Sequence, residues 1–202
     1  MGCHMLRGKQ GFATLDFDGI VEEEEVSPDD PSRKEPTSAP AFPPSIPSII
    51  EQKIVYIDMD NVLVDFKHAL RERGLDPDMN DADEIGGIFS EMIPMKGAVD
   101  AFHALITSDK YDVYILSTAP WKNPSAWYDK VQWVKRYLGP AAKKRLILSH
   151  KKNLNRGTYL IDDRPNNGAK EFGEIEGQTW IHFGTEQFPD WDAVLSFLDV
   201  SL

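Results

Sequence analysis

The stretch IVYIDMDNVLVDF, residues 54–66, decides the fold. It opens as a continuous apolar run, the pattern of a strand buried on both faces of a parallel sheet, and the run ends on Asp58. Asp60 follows two positions later. Side chains on extended backbone repeat every second residue, so the two carboxylates leave the strand on one side, where both can meet one small ligand. Helical spacing then runs from Leu63 through Phe66 and Leu70.

Working outward, the same pattern recurs. YDVYILS (111–117) is followed by Thr118, RLILS (145–149) by Lys151 and Lys152, and TYLID (158–162) by Asp163; TWIHF (179–183) completes the strands. Amphipathic spacing predicts helices over 98–108, 169–175 and 191–198. Another is expected to open at Asn123-Pro124, as N-cap and first turn, and to bury Trp127, Val131, Val134 and Leu138 before Gly139. Alternating strands and helices imply a three-layer α/β/α sandwich around a parallel, Rossmann-like sheet. A small helical cap, about residues 66–95, is expected after the first strand, with Ile85, Ile88, Phe89 and Met92 at helical spacing. The sandwich is assigned to residues 53–202.

Upstream the composition changes. Seven of the fourteen prolines fall between Pro28 and Pro47, mixed with acids and serines. Residues 1–52 carry ten acids against four bases, and are expected to be a disordered acidic, Pro-rich extension because they offer too little apolar surface to offset ordering entropy. The net charge of −11 without a basic stripe argues against a nucleic-acid polymer as partner. A lone cysteine, Cys3, rules out intrachain disulfides and Cys-based zinc sites, and fits a reducing compartment. No apolar run has the length of a membrane span and no signal-peptide pattern opens the chain, so a cytoplasmic protein is expected. His68, His103, His150 and His182 show no metal-ligand spacing, and Trp121, beside the loop after the second strand, is a candidate for the pocket mouth.

Ligands of open α/β sheets bind at the carboxyl ends of the strands. Here those ends carry Asp58 and Asp60, Ser117 and Thr118, Lys151 and Lys152, and Asp162 and Asp163. Close carboxylates repel unless a cation relieves them. Magnesium is the natural partner, since it takes one or two carboxylates, waters and a substrate phosphate. Thr118 can donate to a phosphate oxygen and a lysine can neutralise its charge, which completes the parts for phosphoryl transfer to a carboxylate.

In these motifs the sequence resembles the haloacid dehalogenase-like hydrolases: IVYIDMDNVLVDF, VYILST, a lysine of SHKK and YLIDD match their four motifs in order. Within them it is similar to the 5′(3′)-deoxyribonucleotidase type C group, through DMDNVLVDF, STAPW, WYDKVQWVKRYLG and SHKKNLNRGTYLIDDRP. The resemblance covers about residues 53–190 and implies a magnesium-dependent phosphomonoesterase acting through an aspartyl-phosphate on a small phosphorylated substrate, a (deoxy)nucleoside 5′-monophosphate. It implies Asp58 as nucleophile and metal ligand, and Asp60 as general acid/base with its backbone carbonyl on the metal. Asp163, with Asp162 second, is the remaining metal ligand. It further implies that Thr118, beside Ser117, and Lys152, with Lys151 in reserve, bind phosphate, and that Phe66 lines the base pocket. Two departures stand out: Asn61 where glycine is usual, and a short cap.

Other readings are a phosphatase for a different phosphometabolite and a non-catalytic phospho-aspartate switch or scaffold. The order Asp-x-Asp, Thr, Lys, Asp-Asp differs from that of receiver modules, whose acidic pair comes first. A second Asp-x-Asp, in LDFDGI (15–20), lacks a preceding apolar strand and precedes glutamates and prolines, so it is read as part of the extension. Removing residues 1–50 is expected to leave cooperative urea unfolding and phosphatase activity intact; loss of either would show that the extension is structural.

Overall fold

The computed structural model describes residues 51–202. The expectations for the extension, Cys3 and residues 15–20 lie outside the described residues. Five parallel strands form one sheet in the order β3-β2-β1-β4-β5: β1 Lys53–Ile57, β2 Tyr111–Ser117, β3 Leu146–Leu148, β4 Tyr159–Asp162 and β5 Thr179–His182. The order reverses at β1, which pairs with β2 on one side and β4 on the other, so the carboxyl end of β1 opens at the switch point where such sheets bind ligands.

Alternation along the strands divides the core. Val55, Ile57, Val113, Ile115, Ile161 and Ile181 share one apolar cluster with α2 (Ala98–Thr107), α3 (Ser125–Tyr137) and α5 (Trp191–Phe197). Tyr56, Leu116 and Leu160 share the other with α4 (Ala169–Gly173). The result is the expected three-layer arrangement. Among the described residues no helix is long and apolar enough to cross a membrane.

Between β1 and α2 the chain forms α1 (Phe66–Glu72) and two short 3-10 turns, Ala82–Glu84 and Ile88–Glu91. The spacing of Ile85 to Met92 predicted helix; the turns found there start from Asp81 and Gly87, both with positive φ, and bury Ile88, Phe89 and Met92 without continuous helix. The excursion is closed at its base, where Asp65 N–H donates to Ile93 O (3.0 Å) and Met95 N–H to Leu63 O (2.8 Å).

Helix α3 differs from its predicted face. It buries Ala126, Asp129, Lys130, Trp133 and Val134, while Trp127 is exposed and Val131 half-buried. The stripe is turned by one position because the chain buries two charged residues that an apolar count omits. The Phe102 side chain of α2 is fully buried in the larger cluster. Phe102→Ala is expected to cost about 3–5 kcal/mol by leaving a cavity, read as a lower urea midpoint at unchanged slope; a loss under about 1 kcal/mol would mean the site collapses around it.

Candidate active site

Asp58 directly follows β1, and its N–H donates to Ile161 O of β4 (2.9 Å), which fixes it between two strands. The chain then turns tightly: the N–H groups of Leu63 and Val64 both reach Met59 O at 2.9 Å, and Asn61 has φ +56°. Asn adopts this left-handed backbone more readily than most residues, which accounts for it in place of glycine. The Asn61 carboxamide also donates to Asp163 Oδ2 (3.1 Å), tying the turn to the end of β4.

Asp58, Asp162 and Asp163 each bring a carboxylate oxygen within 4.8 Å of the others. Lys152, buried in a short turn whose N–H donates to Asn167 O (2.7 Å), reaches into the group. Its ammonium hydrogen-bonds Asp162 and lies 2.9 Å from Asp58 Oδ1, an ion-pair contact without hydrogen-bond alignment. Asp60 is held apart from these acids. Both its oxygens accept from the ammonium of Lys130 (2.9 and 3.0 Å), which also donates to Ser117 Oγ (2.9 Å) and lies 4.4 Å above the Phe89 ring.

The charges shift one another. Burial pushes the Asp58 carboxyl up, but Lys152 and Lys130 more than offset it, so Asp58 lies below its ordinary value. Asp60 ends above its own: burial outweighs Lys130, and the charge of Asp58 adds to burial. Burial and then Asp58 raise Asp162 to about 7 and Asp163 to about 6. Four carboxylates thus share too little positive charge. Asp58 Oδ1 and Asp163 Oδ1 are buried without a hydrogen-bond partner. An all-oxygen donor set of this kind, short of cationic charge, fits a hard divalent cation.

A small recess is lined by Asp58, Asp60, Thr118, Lys152, Asp162, Arg164, Asn166 and Asn167. It meets a cleft of about 380 Å³ lined by Asp60, Asn61, Phe66, Asp163, Arg164 and the segment Pro77–Asp83. A wider groove of about 740 Å³ touches Asn61 and Asp163 from another side but contains neither Asp60 nor Phe66.

The structure therefore brings Asp58, Thr118, Lys152 and Asp162 to one recess with Asp60, and sets Phe66 and Asp163 in the adjoining cleft. Thr118 Oγ1 donates to Ser149 O (2.9 Å). Ser117 is fully buried against Lys130 and Lys151 is exposed; neither lines the recess. The Asp60 carboxylate is not in the three-acid group. Trp121 is exposed and stacks edge-on to His150, outside both spaces.

Sequence reading missed Lys130 and Arg164. Lys130 carried a signal: in SAWYDKVQWV it lies four residues before Val134 and four after Ala126, in register with the buried stripe. Arg164 sits in Asp-Asp-Arg-Pro, a composition typical of a turn, yet its N–H donates to Asp162 Oδ1 (3.1 Å) and it borders both spaces.

The chain is similar to known proteins of one family. The family profile described as 5′ nucleotidase, deoxy (Pyrimidine), cytosolic type C protein matches residues 84–194. A provisionally named 5′(3′)-deoxyribonucleotidase of Vibrio phage KVP40 is 55% identical over 151 residues, 73% of this chain and 85% of the relative. The human cytosolic-type 5′(3′)-deoxyribonucleotidase is 28% identical over 171 residues, covering 70% and 78% of the two chains. A provisionally named enzyme of the same kind from Bordetella pertussis is 32% identical over 139 residues, covering 55% and 74%.

The Lys130–Asp60 pair makes a separate prediction. In metal-free buffer at neutral pH, Lys130→Met is expected to destabilise by about 3–5 kcal/mol, because it leaves buried Asp60 without its cation, either charged or forced to take up a proton. Adding Asp60→Asn then recovers a large part of the loss, since no buried charge remains. Urea unfolding of the three variants measures this, and a second mutation that adds to the damage refutes the pairing.

Proposed function

Because the chain belongs to the 5′-nucleotidase, deoxy (pyrimidine), cytosolic type C family, we propose that it is a magnesium-dependent phosphomonoesterase of (deoxy)nucleoside 5′-monophosphates. One observation carries the reading: buried Asp58 groups with Asp162, Lys152 and the half-buried Asp163, beside a recess that shares Asp60 and Arg164 with the Phe66 cleft. In this reading the phosphoryl group lies at the polar recess and the nucleoside in the cleft.

Asp58, held ionised by two lysines, attacks phosphorus in line and becomes an aspartyl-phosphate. Asp60, whose carboxyl is favoured in its protonated form by burial, gives its proton to the leaving 5′-oxygen. It then takes a proton from the water that hydrolyses the acyl phosphate. Lys130 keeps Asp60 aimed away from the three acids, Lys152 holds the phosphoryl oxygens, and Thr118 joins it by turning its hydroxyl from Ser149 O. Magnesium would be held by the carboxylates of Asp58, Asp163 and Asp162 with the carbonyl of Asp60, and would supply positive charge to offset that accumulating on the phosphoryl oxygens. Phe66, its ring 5.7 Å from that of Phe89, offers a face for the base. Arg164 borders both recess and cleft and can follow charge to the leaving oxygen.

With magnesium, the protein is expected to release phosphate from deoxynucleoside 5′-monophosphates faster than from sugar phosphates. The two carboxylates then separate with p-nitrophenyl phosphate, whose leaving group needs no proton. Acid–base assistance is worth roughly 10²–10⁴-fold, enough to make hydrolysis of the intermediate limiting when Asp60 is lost. Asp60→Asn thus gives a burst of p-nitrophenolate near one equivalent per site, then a slow phase, while Asp58→Asn gives none. A burst from Asp58→Asn would reverse the roles, and full turnover by both variants would sink the mechanism.

A further inference from the structure

The cleft wall formed by residues 81–83 is not free-standing. Asn123, in the loop that carries Thr118, is buried at 2% exposure. Its carboxamide donates to two carbonyls of the wall segment, Asp83 O and Ile85 O, both at 2.9 Å. Its Oδ1 accepts from Ser125 Oγ (2.8 Å), and that hydroxyl in turn accepts from Gly87 N–H (2.9 Å). Three backbone points within 83–87 are thereby fastened to the phosphate loop by two adjacent side chains. The orientation of the amide is fixed by its partners, because a flipped group would set Oδ1 against two carbonyl oxygens. The nearby Lys122–Glu84 pair is solvent-exposed on the lysine side and adds little rigidity. The sequence pattern assigned Asn123 to the N-cap of α3; that helix has no side-chain cap, because the amide is engaged with the wall.

We infer that Asn123, with Ser125, is a positioning residue for substrate selection. It locks the cleft wall to the phosphate loop, so that the space for the leaving group is set at a fixed distance from the phosphoryl site. The inference rests on the nucleotidase reading only for what fills the cleft. A lock of this kind matters for a leaving group that fills the cleft and little for a small one. Asn123 touches neither the recess residues nor the metal-ligating acids among the contacts described, so the chemical step on a small ester is left intact.

The test uses the full chain with magnesium. Asn123→Asp preserves size but replaces the donor with oxygen facing two carbonyls. Losing two buried hydrogen bonds is expected to raise KM for deoxynucleoside monophosphates about tenfold or more. Both kcat and the parameters for p-nitrophenyl phosphate stay within about twofold, below the change one such bond represents. Without substrate, hydrogen–deuterium exchange quickens at amides 82–88 and stays unchanged in β1 and β4. Ser125→Ala removes only the Gly87 link and gives a smaller change in the same direction; it decides the matter if Asn123→Asp does not fold. Equal KM increases for both substrates, or unchanged exchange in the wall, overturn the inference. If the wild-type protein turns over no nucleotide, the reading of the cleft fails, and exchange alone then upholds or overturns the lock.

Discussion

Four carboxylates gathered at one end of a buried sheet are the constraint on which the rest of this molecule depends. Strands β1 and β4 are neighbours, so the acids that end them converge, and burial strengthens their repulsion. Two buried lysines divide the work of holding them. Lys152 contacts Asp58 and Asp162, while Lys130 contacts Asp60 and lowers Asp58 only through its charge. The division determines structure at a distance. Lys130 comes from α3, so that helix must turn a charged residue inward, and the stem of that residue needs an apolar cover. Phe89 of the excursion after β1 supplies it with a ring face, which also favours the ammonium. Helix, excursion and Asp60 are thus packed as one requirement.

The fold was legible because its signals are local. Apolar runs ending on polar residues marked β1, β2 and β4, and β2 spans the residues read from YDVYILS. The excursion was less legible. Ile85, Ile88, Phe89 and Met92 have helical spacing, but Gly86 and Gly87 break the backbone into turns, and periodicity alone does not weigh such breaks. Helix α3 was read one position off because burial of Asp129 and Lys130 contradicts an apolar count. The roles of Asn123 and Ser125 were hidden for another reason: their partners are carbonyl and amide groups of a remote segment, and main-chain acceptors leave no trace in side-chain chemistry.

The site was legible in its acids and only partly in its bases. Spacing from strand ends identifies Asp58, Asp60, Asp162 and Asp163, because strands deliver residues at predictable edges. It does not say which lysine of Lys151-Lys152 turns inward. The structure resolves the placement through backbone: Lys152 N–H binds Asn167 O, pulling that residue under the loop, and Lys151 is left outside. Similarly, nothing in Asp-x-Asp tells the two acids apart. Their difference is imposed by neighbours from other elements.

That difference is the chemical content of the site. Asp58 keeps a buried oxygen without a hydrogen-bond partner and is held ionised, the condition an attacking carboxylate needs. Asp60, two residues away, has both oxygens occupied by one ammonium and is nonetheless pushed toward the protonated form by burial and by the charge of Asp58. The proposed general acid is therefore primed by the proposed nucleophile. Once Asp58 carries the phosphoryl group its own negative charge no longer opposes ionisation of Asp60 in the same way, which eases loss of the proton to the leaving oxygen. Two acids on one turn thus acquire opposite tendencies from their surroundings, and such separation is what acid–base assignments in an active site rest on.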